Sequence, residues 1–599
     1  MQHRERHIWK LFLLASCLIV IGTQVFARTS EDRVKSVLDL KSKRELPVGS
    51  IVGLKSDFST HVWKGIPYAQ PPIGKLRWKK PSTPSKWKGL FEATSYGSFC
   101  PQYKGAMISK NIYSYGKIVG DENCLFLNVW APQMSPQSIP KGQNLLPVMV
   151  WIHGGGNSIG HGGLFHAAKL AQQEQVIIIT FNYRLGPFGW FSHPALRSQV
   201  QSKEDASGNY GLLDMIAVLE WVQMNISAFG GNPNNVTLFG QSAGGQNALS
   251  LMISPLSKGL FHKIISQSAV AYLYPKEQAE NYFTDGGHPH SSSEIIGNLY
   301  INSGLVKHKK EARKILESSS SEEVHQIIQK ATTTEILESY NPQKSGMFRF
   351  PRNIRDGYVI PNSTLLENLA HYPLSNMIPV IVGSNRDEHK LQLMQNSNFV
   401  RWRGPFADVL DVKKYNQISK YYSDIWKLTA VDNIARILSR EEKQHVWAYR
   451  FDWDNAKKST LGDFSILLGA THGLEIPFVF GEFEKGVAIP FLYSNQDFSE
   501  RILLSTIMMK YWGSFARTSN PNHSETDKKW NPWTKEKENF IIFDISSDGG
   551  IQMSNDSVTT SRIEERIEDD STLSDRHRCV LRKSIHTYVG HFTTQSCSD

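Results

Sequence analysis

The stretch from Asn235 to Leu249, NVTLFGQSAGGQNAL, constrains the fold of this chain more than any other. Val236 to Phe239 is a β-branched and aromatic run that fits a strand, and Gln246 to Ile253 reads as the start of a helix. Between them, Gly240-Gln241-Ser242-Ala243-Gly244 sets a serine two positions from a glycine on each side. A strand turns directly into a helix only through a tight, strained corner, and glycines remove the Cβ atoms that would clash there. Such a corner lifts the Ser242 hydroxyl to the edge of a sheet and sets the N-terminus of the next helix beneath any developing negative charge. Ser242 therefore reads as a nucleophile, and the rest of the chain must supply a base and an acid.

The chain has 599 residues, 40% of them hydrophobic, enough for a large core and about one to four domains. Arg4, Arg6 and Lys10 precede an almost wholly apolar run from Leu11 to Ile21, and Val25-Phe26-Ala27 offers small residues where a signal peptidase cuts. That run is too short for a comfortable membrane span, so residues 1–27 read as a secretory signal peptide and the mature protein as secreted. No later stretch suggests a membrane span, and the polar end is neither a retention signal nor a lipid-anchor tail. Cleavage would remove Arg4, Arg6, Lys10 and Glu5, taking the formal charge from +10 to about +8. No basic tract is dense enough for a nucleic-acid partner.

Cys17 leaves with the signal, and Cys100, Cys124, Cys579 and Cys597 remain. An even number in an oxidising compartment suggests two disulfides and no metal site. Three pairings are open, of which the local ones are simplest; closing the Cys100 to Cys124 loop would stabilise by about 3–4 kcal/mol. Sequons at Asn225, Asn235, Asn362, Asn522 and Asn555 fit a glycoprotein.

In chain order, Trp63 to Trp78 carries paired prolines and spaced glycines, which suit an ordered crossing loop rather than a helix or central strand. Leu125 to Trp130 alternates as a strand does, and Leu145 to Ile152 is a continuous apolar run that suits a strand covered on both faces. It ends in His153-Gly154-Gly155-Gly156, a turn able to aim backbone N–H groups at an oxyanion. Val176 to Phe181 is a further buried strand, and Leu212 to Val222 a helix crossing toward the strand before Ser242. This alternation implies right-handed crossovers and a mostly parallel sheet flanked by helices, an α/β fold. Residues 275–345 read as the solvated helices of a large insertion.

Met377 to Val382 is another strand candidate, followed by Gly383-Ser384-Asn385-Arg386-Asp387-Glu388, which puts acidic residues at the mouth of the sheet. His472 sits between glycines in a later loop. With Ser242 and an upstream carboxylate it completes the order serine, acid, histidine that such a sheet uses. Helix Arg501 to Phe515 and strand Phe540 to Phe543 close the domain, taken as residues 28–550. Residues 551–599 form a polar extension with two cysteines, expected to pack loosely.

GQSAGG at Ser242, HGGG at 153–156, FNYRLGPFGW from Phe181, GIPYAQPPIGKLRW from Gly65, DENCLFLNVW from Asp121, GNYGLLDM from Gly208, GSNRDEH from Gly383 and THGLEIPFVFG from Thr471 occur together and in order. In these the chain resembles the type-B carboxylesterase and cholinesterase family, from about Gly65 to about residue 545. The resemblance implies an α/β-hydrolase with a large central sheet, no cofactor and no metal, acting on a small-molecule ester. It implies a catalytic set of Ser242, Glu388 and His472, oxyanion amides at Gly155, Gly156 and Ala243, and a loop disulfide between Cys100 and Cys124.

By that resemblance, His472, held by Glu388, takes the Ser242 proton as the hydroxyl attacks the ester, and water later releases the acyl group. The Cys100 to Cys124 loop has tyrosines but lacks the tryptophan with which cholinesterases bind choline, which argues against a choline ester. Phe348-Arg349-Phe350 resembles the family's acyl-pocket segment, where two aromatics trim a pocket toward short acyl groups or simply belong to the core. The chain departs from the family at His389, Met215 and Ser207, usually glycine, glutamine and proline; an imidazole beside the acid could disturb its orientation. The expected function is that of a secreted serine esterase for small or medium hydrophobic esters. A non-catalytic binding or adhesion protein on the same body is the contrasting class.

Overall fold

Apolar runs bounded by glycine or polar turns become strands of one eleven-stranded sheet, in a computed structural model that describes residues 38–589 and Cys597 apart from 106, 110–111, 270, 341–345, 374–375, 441–444 and 527. The expected signal segment, 1–27, lies outside the described residues. The strands are β1 (Leu54–Ser56), β2 (Thr60–Pro67), β3 (Phe126–Pro132), β4 (Leu146–Ile152), β5 (Ile177–Phe181), β6 (Gly231–Gln241), β7 (Lys263–Gln267), β8 (Val380–Asn385), β9 (Val446–Phe451), β10 (Phe540–Phe543) and β11 (Gln552–Ser554). Their spatial order is β11-β10-β9-β8-β7-β6-β4-β5-β3-β2-β1. Strands β4 to β10 are mutually parallel, whereas β1, β2 and β3 at one side and β11 at the other pair antiparallel. This is the mostly parallel sheet of an α/β-hydrolase.

Both faces of the sheet are covered, which is why its strands read as unbroken apolar runs. Along β4, Val148, Val150 and Ile152 enter one core and Met149 and Trp151 the other. The first core is closed by helices α1 (Tyr210–Asn225) and α2 (Ala243–Ile253) and by the insertion helices α3 (Ser292–Asn302), α4 (Lys309–Ser318), α5 (Ser321–Lys330) and α6 (Thr333–Glu338). The second is closed by α7 (Val412–Lys427), α8 (Phe498–Thr518), α9 (Thr560–Asp569) and α10 (Asp575–Val589). Among the described residues one helical stretch, Tyr210–Phe229, is long and apolar enough to cross a membrane, and 67% of its window is buried in the molecule.

Two expectations need correction. Trp63 to Pro67 is not loop but the second half of β2, paired to β3. Its register shifts between Trp63 and Ile66, and Gly65 takes φ +68° where a Cβ would lie 2.4 Å from the Ser95 carbonyl oxygen. That bulge hides the alternation a strand would otherwise show. The described segment from residue 551 to 589 is not loosely packed either. Strand β11 extends the sheet, and α9 and α10 bury Ile563, Ile567, Leu581 and Ile585. Both cysteine pairs form within the chain, Cys100 with Cys124 and Cys579 with Cys597.

Candidate active site

The ends of β6, β7 and β8 lie level, with Gln241 beside Gln267 and Gln267 beside Gly383. Everything that follows these strands therefore gathers at one edge of the sheet. Ser242 leaves β6 with φ +58° and ψ −123°, a left-handed conformation costly for any side chain, and its N–H donates to the Gln267 carbonyl at 2.8 Å. The flanking glycines are sterically required, since a Cβ at Gly244 would lie 1.9 Å from the Ile152 carbonyl oxygen and one at Gly240 2.6 Å from the carbonyl carbon of Gly244. Ala243 then opens α2, so its N–H has no acceptor within the helix.

The turn after β4 wraps over this corner. A Cβ at Gly154 would meet Ser242 Cβ at 3.2 Å, and Gly155 and Gly156 adopt φ +96° and +64°. His153 is buried and stacked on Tyr183 at 4.4 Å, and burial pushes its pKa down to about 4. The Tyr183 hydroxyl donates to the His153 carbonyl at 2.8 Å, which anchors the turn. Ser158 ties it further, donating to the Gly155 carbonyl at 3.2 Å and accepting from the Phe348 N–H at 3.4 Å. Met347 consequently faces Gly156, its Sδ 3.7 Å from where a Cβ there would stand. Phe348 and Phe350 are buried in a cluster with Tyr340, at 5.0 Å and 6.5 Å.

Glu388 follows β8 and is fully buried. One oxygen accepts the Asn385 N–H at 2.8 Å, and the other faces His472 Nδ1 at 2.5 Å. The loops of acid and histidine are locked together: Asp387 N–H donates to the Ala470 carbonyl at 3.0 Å, and Leu391 N–H to the Thr471 hydroxyl at 2.9 Å. Burial acts to lower the His472 pKa, but the charge and hydrogen bond of Glu388, with Glu475 adding in the same sense, hold it above its ordinary value. The structure thus brings Ser242, Glu388, His472, Gly155, Gly156 and Ala243 to one edge. Among the described residues, however, Ser242 Oγ makes no hydrogen bond, and His472 Nε2 is met at 3.1 Å by the amide of Gln241.

Several residues here were not singled out from the sequence. Glu475, three residues after His472, is a second buried carboxylate, bonded by Asn385 at 2.7 Å and Gln267 at 3.2 Å. Burial and the neighbouring Glu388 charge raise its pKa. Trp426 of α7 lays its ring 5.0 Å from that of His472. Only the spacing THGLE offered a signal for Glu475; nothing local marked Trp426. His389 points away from the acid, stacked on Tyr422 at 4.4 Å, and burial with the nearby His472 charge pushes its pKa down to about 4.

Residues 41–417 and 408–561 match the family described as the Carboxylesterase family. The chain belongs to the carboxylesterase family. It is 32% identical over 501 residues to the para-nitrobenzyl esterase of Bacillus subtilis (strain 168), covering 81% of this chain and 91% of that one. It is 32% identical over 508 residues to the medium-chain fatty acyl-CoA hydrolase precursor of Anas platyrhynchos, covering 78% and 81%. A solved PNB esterase superposes with a TM-score of 0.63 at 29% identity, over 88% of this chain and 99% of that one. As a carboxylesterase the chain is a serine-type hydrolase of carboxylic esters, with a small-molecule ester as its substrate.

Proposed function

We propose that this carboxylesterase uses Ser242 as nucleophile, His472 as general base and Glu388 as the acid that orients it, on small or medium hydrophobic esters. The observation that carries the reading is the buried Glu388 to His472 pair at 2.5 Å, set at the same sheet edge as a serine on a strained strand-to-helix corner. Glu388 holds the Nδ1 proton, which leaves Nε2 the unprotonated nitrogen that takes the Ser242 proton as Oγ attacks the carbonyl. The N–H groups of Gly155, Gly156 and Ala243 then face the oxyanion; losing one such donor costs about 3–4 kcal/mol. The protonated His472 gives its proton to the departing alcohol, and water repeats the sequence on the acyl-enzyme.

Met347 beside Gly156, backed by Phe348, supports a pocket for short to medium acyl chains. The names of the two relatives, a para-nitrobenzyl esterase and a medium-chain fatty acyl-CoA hydrolase, point the same way. The N-terminal stretch read as a signal supports secretion, as do Cys100, Cys124, Cys579 and Cys597, paired within the chain. The test is hydrolysis of p-nitrophenyl esters from acetate to decanoate, with thiocholine esters as a second arm, by the protein collected from medium. Aryl esters of short to medium chain turn over, thiocholine esters hardly, and Ser242→Ala lowers kcat by on the order of 10⁴ or more. Silence on every ester, with no organophosphate on Ser242, would favour a binding protein.

A further inference from the structure

We infer that Gln241, the residue before the nucleophile, is a second partner of the base: it holds neutral His472 at Nε2 in the resting enzyme and must release that atom before Ser242 can react. The inference rests on the reading of His472 as general base.

Gln241 ends β6 and is only 4% exposed. Its amide is wedged between two loops, with Oε1 3.0 Å from where a Cβ on Gly154 would stand and Nε2 3.8 Å from the same point at Gly473. Nε2 of the amide lies 3.1 Å from Nε2 of His472. Because His472 gives its Nδ1 proton to Glu388, its Nε2 carries a lone pair, and only the amino end of an amide can meet it. The carbonyl end would set two lone pairs face to face. The lone pair that must accept the Ser242 proton is therefore already occupied by an amide N–H that does not give up its proton.

This arrangement has a definite sign. A donor on Nε2 is compatible with the neutral ring alone; once Nε2 is protonated the two N–H groups oppose each other, and the amide must turn its oxygen to the ring or withdraw. Gln241 thus opposes protonation of the resting base. The charged and titratable groups around the ring are Glu388 and Glu475, which favour the imidazolium, and His389, which burial and the His472 charge keep neutral and which therefore adds no charge of its own. The ring of Trp426 carries no charge. From β6, Gln241 is the uncharged counterweight to the two carboxylates, and it also competes with Ser242 for the same atom. Opening the bond becomes part of the approach to the transition state, when the Ser242 proton passes to Nε2 and then to the leaving alcohol.

Gln241→Met keeps the volume and removes the donor. Gln241→Glu keeps the shape and supplies an oxygen that can only accept from Nε2–H. The pH profile of kcat/KM for p-nitrophenyl butyrate is measured for the wild type and both variants. In parallel, the His472 ring is titrated by NMR with selectively ¹³C-labelled histidine, assigned with His472→Gln. The acid limb and the ring titration move together to higher pH, by about 0.5–1 pH unit in Gln241→Met and by about 1–3 in Gln241→Glu. A Gln241→Glu ring titration at or below the wild-type value overturns the inference, as does a rate loss equal at every pH. Gln241→Glu is isosteric and decides the matter even where Gln241→Met fails to fold. Absence of ester turnover in the wild type would count against the hydrolytic assignment of these residues, while the ring titration still decides the role of Gln241.

Discussion

His389 stands where the family usually has glycine, next to the acid itself, yet its ring turns away. It stacks on Tyr422 at an interplanar angle of 14° and reaches Trp426 at 6.3 Å, while both Glu388 oxygens are held by Asn385 and His472. The imidazole acts as a packing block between the acid loop and α7, and burial keeps it neutral. His389→Gly should therefore lower the unfolding free energy by about 1–3 kcal/mol in urea melts, less than for emptying a wholly buried site because the ring is only part-buried. Turnover should survive, because no hydrogen bond of Glu388 or His472 passes through His389; loss of Ser242 labelling at a temperature where the variant is folded would refute this. Ser242 was legible from its own glycine corner and His472 from its place after an upstream carboxylate, whereas the choice of Glu388 over Asp387 came from the family resemblance. The Gln241 contact and the buried Glu475 were not legible, since both depend on where a side chain turns after three separate loops have met.

At the scale of elements, the best-read pieces were those with one dominant signal. β4 and β5 announced themselves as unbroken apolar runs, and α2 as a helix after a glycine corner. The worst-read were those whose signal is narrow or interrupted. Helix α9 is mostly charged, but Ile563 and Ile567, one turn apart, are wholly buried and form a stripe against the second core. The Tyr421 hydroxyl of α7 donates to the Arg566 carbonyl at 2.9 Å, and Arg566 pairs with Asp424 at 2.7 Å. Five residues beyond α7, the Val558 N–H donates to buried Asp432 at 2.7 Å. Composition averaged over such a segment reads as polar, while the two residues that decide its fate are a small part of it. Ile567→Ala should cost about 2–4 kcal/mol of stability, measured by chemical unfolding with esterase activity as a second probe. A cost under about 0.5 kcal/mol, the level of an ordinary surface change, would mean that α9 does not pack against the sheet in solution.

For the whole molecule, the five sequons meet a surface that treats them unequally. A glycan needs a side-chain amide that can leave the protein and carry a bulky, solvated sugar. Asn225 is 6% exposed and its amide donates to the Trp221 carbonyl at 2.9 Å. Asn235 is held from both ends, donating to the Arg517 carbonyl at 3.3 Å and accepting from Lys263. Asn522 donates to Asn520 at 2.9 Å and to the Trp530 carbonyl at 3.0 Å, and accepts from the Trp530 N–H at 2.7 Å. A sugar on any of these would have to break bonds that order a strand end or a buried tryptophan. Asn362 and Asn555 are exposed, and among the described residues neither amide donates to a protein acceptor. Along the secretory route proposed above, Asn362 and Asn555 should carry glycans and the other three should not. Peptide mapping of protein secreted from eukaryotic cells, with enzymatic deglycosylation in ¹⁸O-water, reads occupancy site by site. A glycan found on Asn522 would show that the turn holding Trp530 forms late or opens freely, because in the folded molecule the Asn522 amide is engaged by Asn520 and Trp530.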